Sequence, residues 1–231
     1  MEYAKLSRRS LLGLGAVVAA GVAADAALPA SAAPLSPEPT GSSDPWRRLV
    51  AGNKRFAAGR PRHPRQDPDH RESLVEAQHP FACVLGCADS RVPAELLFDQ
   101  GLGDLFTVRA VGEVLDDAVV GSIEYAVEHL HVPLVIVLGH AECGAVKAAI
   151  DLVDGNSEVT GPVDTVARAI EATVRATPRV PDEQAFVAAC VRNQTARVAD
   201  ELTRRSHAVA AVRPRIVTAV YDLRSGLVRA H

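Results

Sequence analysis

Two short polar segments carry side chains of the types that bind metal ions. Residues 87–91 read Cys-Ala-Asp-Ser-Arg, and residues 140–143 read His-Ala-Glu-Cys. Each segment follows an apolar run that is typical of a buried strand. In open parallel α/β sheets, sites form where strands end, so the two segments are expected to lie together. Because thiolates and imidazole are zinc ligands, the pattern predicts a catalytic zinc site at Cys87, His140 and Cys143.

The four cysteines also allow other interpretations. In an exported protein four cysteines can form two disulfides, and Cys87 with Cys143 could serve as a redox couple. The polar neighbours of these two residues favour metal binding, because a disulfide needs no Asp, Arg or His beside it. Cys83, in a predicted strand, and Cys190, on an apolar helix face, are expected to be buried as small hydrophobic groups.

The first 32 residues have the pattern of an export signal. Arg8 and Arg9 form a twin-arginine motif, a weakly apolar stretch follows, and Ala-Ser-Ala at 30–32 predicts cleavage before Ala33. The stretch is shorter than the ~20 residues of a membrane helix, although an uncleaved anchor is an alternative. Residues 33–43 form a Pro- and Ser-rich linker. We therefore expect export by the twin-arginine machinery to a location outside the cytoplasm.

Residues 44–231 predict one α/β domain, with a mostly parallel central sheet flanked by helices. Apolar residues make up 48% of the chain, enough for such a core, while the net charge of −3 and the lack of a basic, aromatic-rich run exclude a nucleic-acid partner. Strands are predicted at 81–86, 105–108, 134–138, 216–221 and 226–228. Helices are predicted at 44–58, 71–78, 116–129, 144–152, 163–177 and 182–205, with a helical turn at 93–98.

The paired motif Cys-x-Asp-Ser-Arg and His-x-x-Cys resembles that of the β-class carbonic anhydrases. The resemblance covers nearly all of the predicted domain and includes the segments 49–56, 98–106, 121–127 and 138–145. One departure is visible at residues 111–113, which read Val-Gly-Glu where many members of the family have Ala-Gly-Asn. This departure concerns the shape and charge of the pocket rim.

The resemblance implies a role for each residue of the site. It makes Cys87, His140 and Cys143 the ligands of one Zn²⁺ per chain, and it makes Asp89 and Arg91 a catalytic dyad. Asp89 either binds the zinc itself or is held by Arg91 and orients zinc-bound hydroxide. Gln100 matches a position that hydrogen-bonds the substrate, although a loop glutamine that satisfies backbone groups is an equal alternative.

The function implied is the reversible hydration of carbon dioxide to bicarbonate and a proton. Zinc with two thiolates and a neutral imidazole has no net charge, and its fourth position would hold the water that becomes the nucleophile. Members of the class form homodimers or homotetramers in which an N-terminal helix and arm, here 44–70, embrace the partner. Alternatives are hydrolysis of carbonyl sulfide or carbon disulfide, and a non-catalytic module that binds zinc or bicarbonate.

Overall fold

The computed structural model describes residues 44–157 and 160–231. The predicted export signal, 1–32, and the predicted linker, 33–43, lie outside the described residues, so both stay predictions. Among the helices that are described, none has the length and apolar character needed to cross a membrane.

A five-stranded sheet forms the centre of the fold. Its order is β2-β1-β3-β4-β5, in which the first four strands are parallel and β5 pairs antiparallel with β4. The predicted mostly parallel sheet is therefore confirmed. The strands are β1 Ala82–Gly86, β2 Leu105–Arg109, β3 Leu134–His140, β4 Arg215–Tyr221 and β5 Val228–Ala230.

The helices connect the parallel strands and cover the sheet. Asp44 caps the first helix as predicted, and of the alternatives Asp116 and Asp117 it is Asp116 that caps its helix; Asp182 caps another, and all three side chains accept hydrogen bonds from backbone amides in the first turn. The α-helices are α1 Pro45–Ala57, α2 Pro68–Ser73, α3 Ala94–Leu97, α4 Asp117–Glu128, α5 Gly144–Val153, α6 Pro162–Ala176, α7 Glu183–Arg205 and α8 His207–Val212.

Three sequence-based assignments need correction. The second helix spans Pro68–Ser73 instead of 71–78, because Asp67 caps it and Pro68 occupies its first turn. Helix α8 was not predicted, although Ser206 caps it through a hydrogen bond from Val209 N. Strand β5 begins at Val228 instead of 226, since Gly226 has a φ of +71° and belongs to the preceding turn.

The central strands β1 and β3 are buried on both faces of the sheet. Alternate residues of β3 point to opposite sides, and all seven are buried. Val135 packs in one apolar cluster with Ile123 of α4 and Leu202 of α7. Ile136 packs in a second cluster on the other side, together with Leu49 of α1. The predicted burial of this strand on both faces is confirmed.

The segment between α1 and α2 is fixed to a loop of its own chain. The amides of Arg62 and His63 both donate to the Asp99 carboxylate at 3.0 Å. Farther along, the Arg65 guanidinium pairs with Asp104, which also accepts from Arg48 at 2.7 Å. The segment therefore has a defined path, whereas its role in embracing a partner stays a prediction.

Candidate metal centre

Three predicted ligands meet at the carboxyl edge of the sheet. Cys87 directly follows β1, His140 ends the adjacent strand β3, and Cys143 is the N-cap residue of α5. Their ligand atoms all lie within 4.8 Å of one another, and all three side chains are buried. This spacing allows the two sulfurs and one nitrogen to share a single ion, as tetrahedral Zn²⁺ requires. The convergence of the three side chains is as predicted.

The imidazole of His140 is oriented for metal binding. Its Nδ1 lies 2.9 Å from the carbonyl oxygen of Ala141, and a proton on Nδ1 completes that hydrogen bond. Its Nε2 is buried and has no hydrogen-bond partner. Metal-binding histidines typically use one ring nitrogen for a carbonyl and the other for the metal. A buried nitrogen without a partner therefore fits a cation between His140 and the two cysteines.

The two sulfurs interact as a thiolate–thiol pair. The hydrogen bond from Cys143 lowers the pKa of Cys87, although burial of the thiol opposes this change. The same hydrogen bond and burial raise the pKa of Cys143. Of the two thiols Cys87 is therefore the more easily deprotonated, and the thiolate is the form in which sulfur binds metals.

Asp89 and Arg91 form a pair beside the cluster. The Arg91 side chain donates to both carboxylate oxygens, at 2.9 and 2.7 Å, and its backbone amide donates at 2.9 Å. The Arg91 guanidinium holds the pKa of the Asp89 carboxyl well below its usual range. The carboxylate is therefore charged, and Arg91 orients it with its Oδ2 3.9 Å from His140 Nε2.

Two further residues contact the ligand loop, and sequence reasoning missed both contacts, although it noted Gly112 within the segment 111–113. Arg109, at the end of β2, donates to the carbonyl oxygens of Cys87 and Asp89 at 3.0 and 2.6 Å. The backbone amide of Gly112 lies 3.4 Å from Cys87 Sγ and donates to it. Neither contact has a sequence signal, because both depend on the pairing of β1 with β2.

Gln100 lies in a different environment from the one its predicted role suggests. Its Nε2 donates to the backbone carbonyls of Phe98 and Asp99, at 2.7 and 3.0 Å, and faces Gly52 of α1. These contacts match the backbone-satisfying alternative. Its buried Oε1 has no hydrogen-bond partner, however, so the predicted substrate contact stays a prediction.

Glu113 is the residue that departs from the family pattern, and it is buried. It has a φ of +54°, which is uncommon for a residue other than glycine, and only 2% of it is exposed. Its Oε1 has no hydrogen-bond partner. Burial, together with the charge of Cys87, raises the pKa of this carboxyl well above its usual value. Burial and the unpaired oxygen therefore favour the neutral form of this carboxyl.

The fold and the site together define an α/β protein with a Cys-His-Cys metal centre at the carboxyl edge of its sheet. The family model described as carbonic anhydrase matches residues 82–228. Among solved structures, the β-carbonic anhydrase CafA of Aspergillus fumigatus superposes with a TM-score of 0.62 at 26% identity, covering 81% of this chain and 91% of that one. This chain belongs to the carbonic anhydrase family and has the fold of its β class.

Two mycobacterial proteins have higher sequence identity to the chain. Carbonic anhydrase 2 of Mycobacterium tuberculosis is 54% identical over 129 residues, which cover 56% of this chain and 62% of that protein. The chain therefore matches less than two thirds of that relative's length. The carbonic anhydrase of Mycolicibacterium smegmatis is 45% identical over 192 residues, covering 80% of this chain and 92% of that protein.

Proposed function

We propose that this chain catalyses the reversible hydration of carbon dioxide to bicarbonate and a proton, with one Zn²⁺ as its cofactor. The observation that carries the proposal is the convergence of Cys87, His140 and Cys143 within 4.8 Å, next to a carboxylate that Arg91 orients. The carbonic anhydrase names of the mycobacterial relatives support the same reaction.

Cys87, His140 and Cys143 would hold the zinc. When bound, Zn²⁺ acts as a Lewis acid that makes a solvent oxygen nucleophilic near neutral pH. Two thiolates balance the charge of the cation, so the protein needs no further anion at the ligand atoms. The nearly complete burial of the three ligands excludes bulk water, which strengthens electrostatic interactions within the site.

Asp89 would orient the attacking oxygen. Its carboxylate is charged and acts only as a hydrogen-bond acceptor, so it holds the proton of that oxygen and points a lone pair toward carbon dioxide. Arg91 would keep the carboxylate in place through the hydrogen bonds that it donates to both carboxylate oxygens, and the alternative in which Asp89 itself binds the zinc stays a prediction. We propose Gln100 as a further substrate contact through its unpaired Oε1, which can accept the hydroxyl proton of bicarbonate.

The experiment that tests the function is stopped-flow hydration of carbon dioxide by the purified full chain, with zinc measured in the same preparation. One zinc per chain and rapid hydration support the proposal. Hydrolysis of carbonyl sulfide or carbon disulfide without carbon dioxide hydration would replace the proposed substrate. Stoichiometric zinc with turnover of none of these gases would indicate a non-catalytic binding module, and a folded metal-free chain would refute the zinc assignment.

Export and assembly are further parts of the proposal. The twin-arginine motif at Arg8 and Arg9 supports export of the folded chain to a location outside the cytoplasm. Cell fractionation of a variant with Lys at both positions tests this part of the proposal.

Strand β2 is an edge strand, and such edges commonly pair or are covered in assemblies. We propose a homodimer or homotetramer, and light scattering during size-exclusion chromatography measures which of them forms.

A further inference from the structure

A chain of buried hydrogen bonds connects helices α6 and α7 to a sulfur of the metal centre. Thr173 Oγ1 of α6 donates to Gln194 Oε1 of α7 at 2.6 Å. Gln194 Nε2 in turn donates to the carbonyl oxygen of Gly112 at 3.3 Å. The amide of the same glycine donates to Cys87 Sγ at 3.4 Å. Both backbone polar groups of Gly112 are therefore hydrogen-bonded, the carbonyl to the Gln194 side chain and the amide to the Cys87 sulfur.

The conformation of Gly112 explains why it needs support. Its φ is +66°, a region that is costly for residues with a side chain. A Cβ atom at this position would lie 2.7 Å from Ile170 Cδ1 and 2.8 Å from Ala145 Cβ. The backbone of residue 112 therefore passes directly against α5 and α6, and only glycine allows this approach.

The flexibility of glycine also has a cost. The backbone of a glycine has more accessible conformations than that of any other residue, and it loses this freedom on folding. The direction in which the Gly112 amide points therefore depends on the groups that hydrogen-bond to the Gly112 backbone. Gln194 is the side chain that holds the Gly112 carbonyl, and Thr173 fixes the orientation of the Gln194 amide group. Only 3% of Thr173 and 3% of Gln194 are exposed, so water competes little for these hydrogen bonds.

We propose that Gln194 is a positioning residue of the metal centre: it holds Gly112 so that the backbone amide donates to the Cys87 sulfur, and it thereby strengthens zinc binding. A hydrogen bond to a metal-ligating sulfur stabilises its negative charge in a buried site. Groups that orient metal ligands in this way typically change metal affinity by about 10- to 100-fold when they are removed. The proposal rests on the zinc assignment made above.

The test compares three full-length variants. Gln194→Leu removes the hydrogen bonds of Gln194 to both Gly112 and Thr173 with little change in side-chain volume. Thr173→Val removes only the hydroxyl that orients the Gln194 amide group. Thr177→Val is the matched control, because Thr177 is a buried residue that follows α6 and bonds to Thr173 O and Asn193 without contacting Gly112. Zinc affinity is measured by competition with a chromophoric chelator. The thiolate-to-metal charge-transfer band of the Co²⁺-substituted protein reports on the sulfur itself.

We expect Gln194→Leu to bind zinc about tenfold more weakly and to shift the charge-transfer band. Thr173→Val should change both readouts in the same direction by less, and Thr177→Val should leave both at wild-type values. Wild-type affinity and an unchanged band in Gln194→Leu would overturn the proposal, as would an equal effect in Thr177→Val. If Gln194→Leu does not fold, Thr173→Val decides by the same criteria. Failure of the wild-type chain to bind zinc would refute the proposed function instead.

Discussion

The carboxylate of Asp89 lies 3.9 Å from Nε2 of His140, the buried ring nitrogen that has no hydrogen-bond partner. The Arg91 guanidinium donates hydrogen bonds to both oxygens of the same carboxylate. The Asp89 carboxylate therefore lies beside the Cys87, His140 and Cys143 cluster, and Arg91, two residues farther along the chain, fixes its position. In the proposed mechanism this arrangement would leave metal binding to Cys87, His140 and Cys143 and the orientation of the reacting oxygen to Asp89.

Replacement of Asp89 should separate metal binding from turnover. We expect Asp89→Ala to retain zinc and to lose roughly 10²-fold in kcat, because the group that orients the attacking oxygen is gone while the ligands remain. Stopped-flow hydration with zinc analysis measures both quantities. Glu142→Ala is the control, since Glu142 is an exposed carboxylate near the site that pairs with Lys147. An unchanged rate in Asp89→Ala would reject the dyad.

Of two cysteines that lie close in sequence, only Cys87 should affect the zinc content when it is replaced. We expect Cys87→Ala to lose both zinc and activity, because two ligands remain where the site needs three. Cys83→Ala is the control: burial raises the pKa of this thiol to about 12, so it stays protonated, and its substitution should cost about 1 kcal/mol of stability without loss of zinc. Elemental analysis of each purified variant decides between these outcomes. Zinc retained in Cys87→Ala would contradict the ligand assignment.

Asp99 should contribute stability that depends on pH. Burial tends to raise the pKa of Asp99, but the backbone amides of Arg62 and His63 and the Arg55 guanidinium together lower it below its usual 3.8. A lowered pKa gives stability that is present above pH 3.8 and is lost as the pH falls through the folded-state pKa. We expect Asp99→Asn to destabilise the chain by about 3 kcal/mol at neutral pH.

The difference between wild type and Asp99→Asn should shrink in acid, because the wild-type carboxylate becomes protonated there. Urea denaturation at pH 7 and at successively lower pH measures the change. Asp69→Asn is the control, since Asp69 is exposed in α2 and its substitution should stay within about 0.5 kcal/mol. A constant difference between Asp99→Asn and wild type across the acid range would contradict the assigned role.

Two glycine substitutions should change stability in opposite directions. A Cβ at Gly139, next to His140, would lie 2.7 Å from Thr195 Cγ2 and 3.2 Å from Val191 Cγ1. We expect Gly139→Ala to cost about 1–3 kcal/mol, because α7 packs directly on β3. Gly121 lies within α4 with no atom within 4 Å of an added Cβ, so Gly121→Ala should stabilise the chain by up to about 1 kcal/mol. Urea denaturation measures both values, and a neutral Gly139→Ala would show that the helix can move away.

The sequence by itself determined the elements and the residue types of the site. Apolar runs predicted β1 and β3, and the strand that was expected to be buried on both faces is fully buried. Asp44, and Asp116 with Asp117 as the alternative, marked helix starts because a capping side chain acts within its own first turn. The ligand positions followed from two local motifs and from the rule that parallel strands end at one edge.

Only the tertiary structure decided the contacts that support those ligands. Gln194 lies 82 positions from Gly112 in sequence, and no local pattern marks either residue as a partner of Cys87. Glu113 was visible as a departure, yet only the folded chain shows that it is buried, next to Gly112, whose backbone lies against α5 and α6. Hydrogen bonds between distant segments depend on packing geometry, and that geometry exists only once the helices have docked on the sheet.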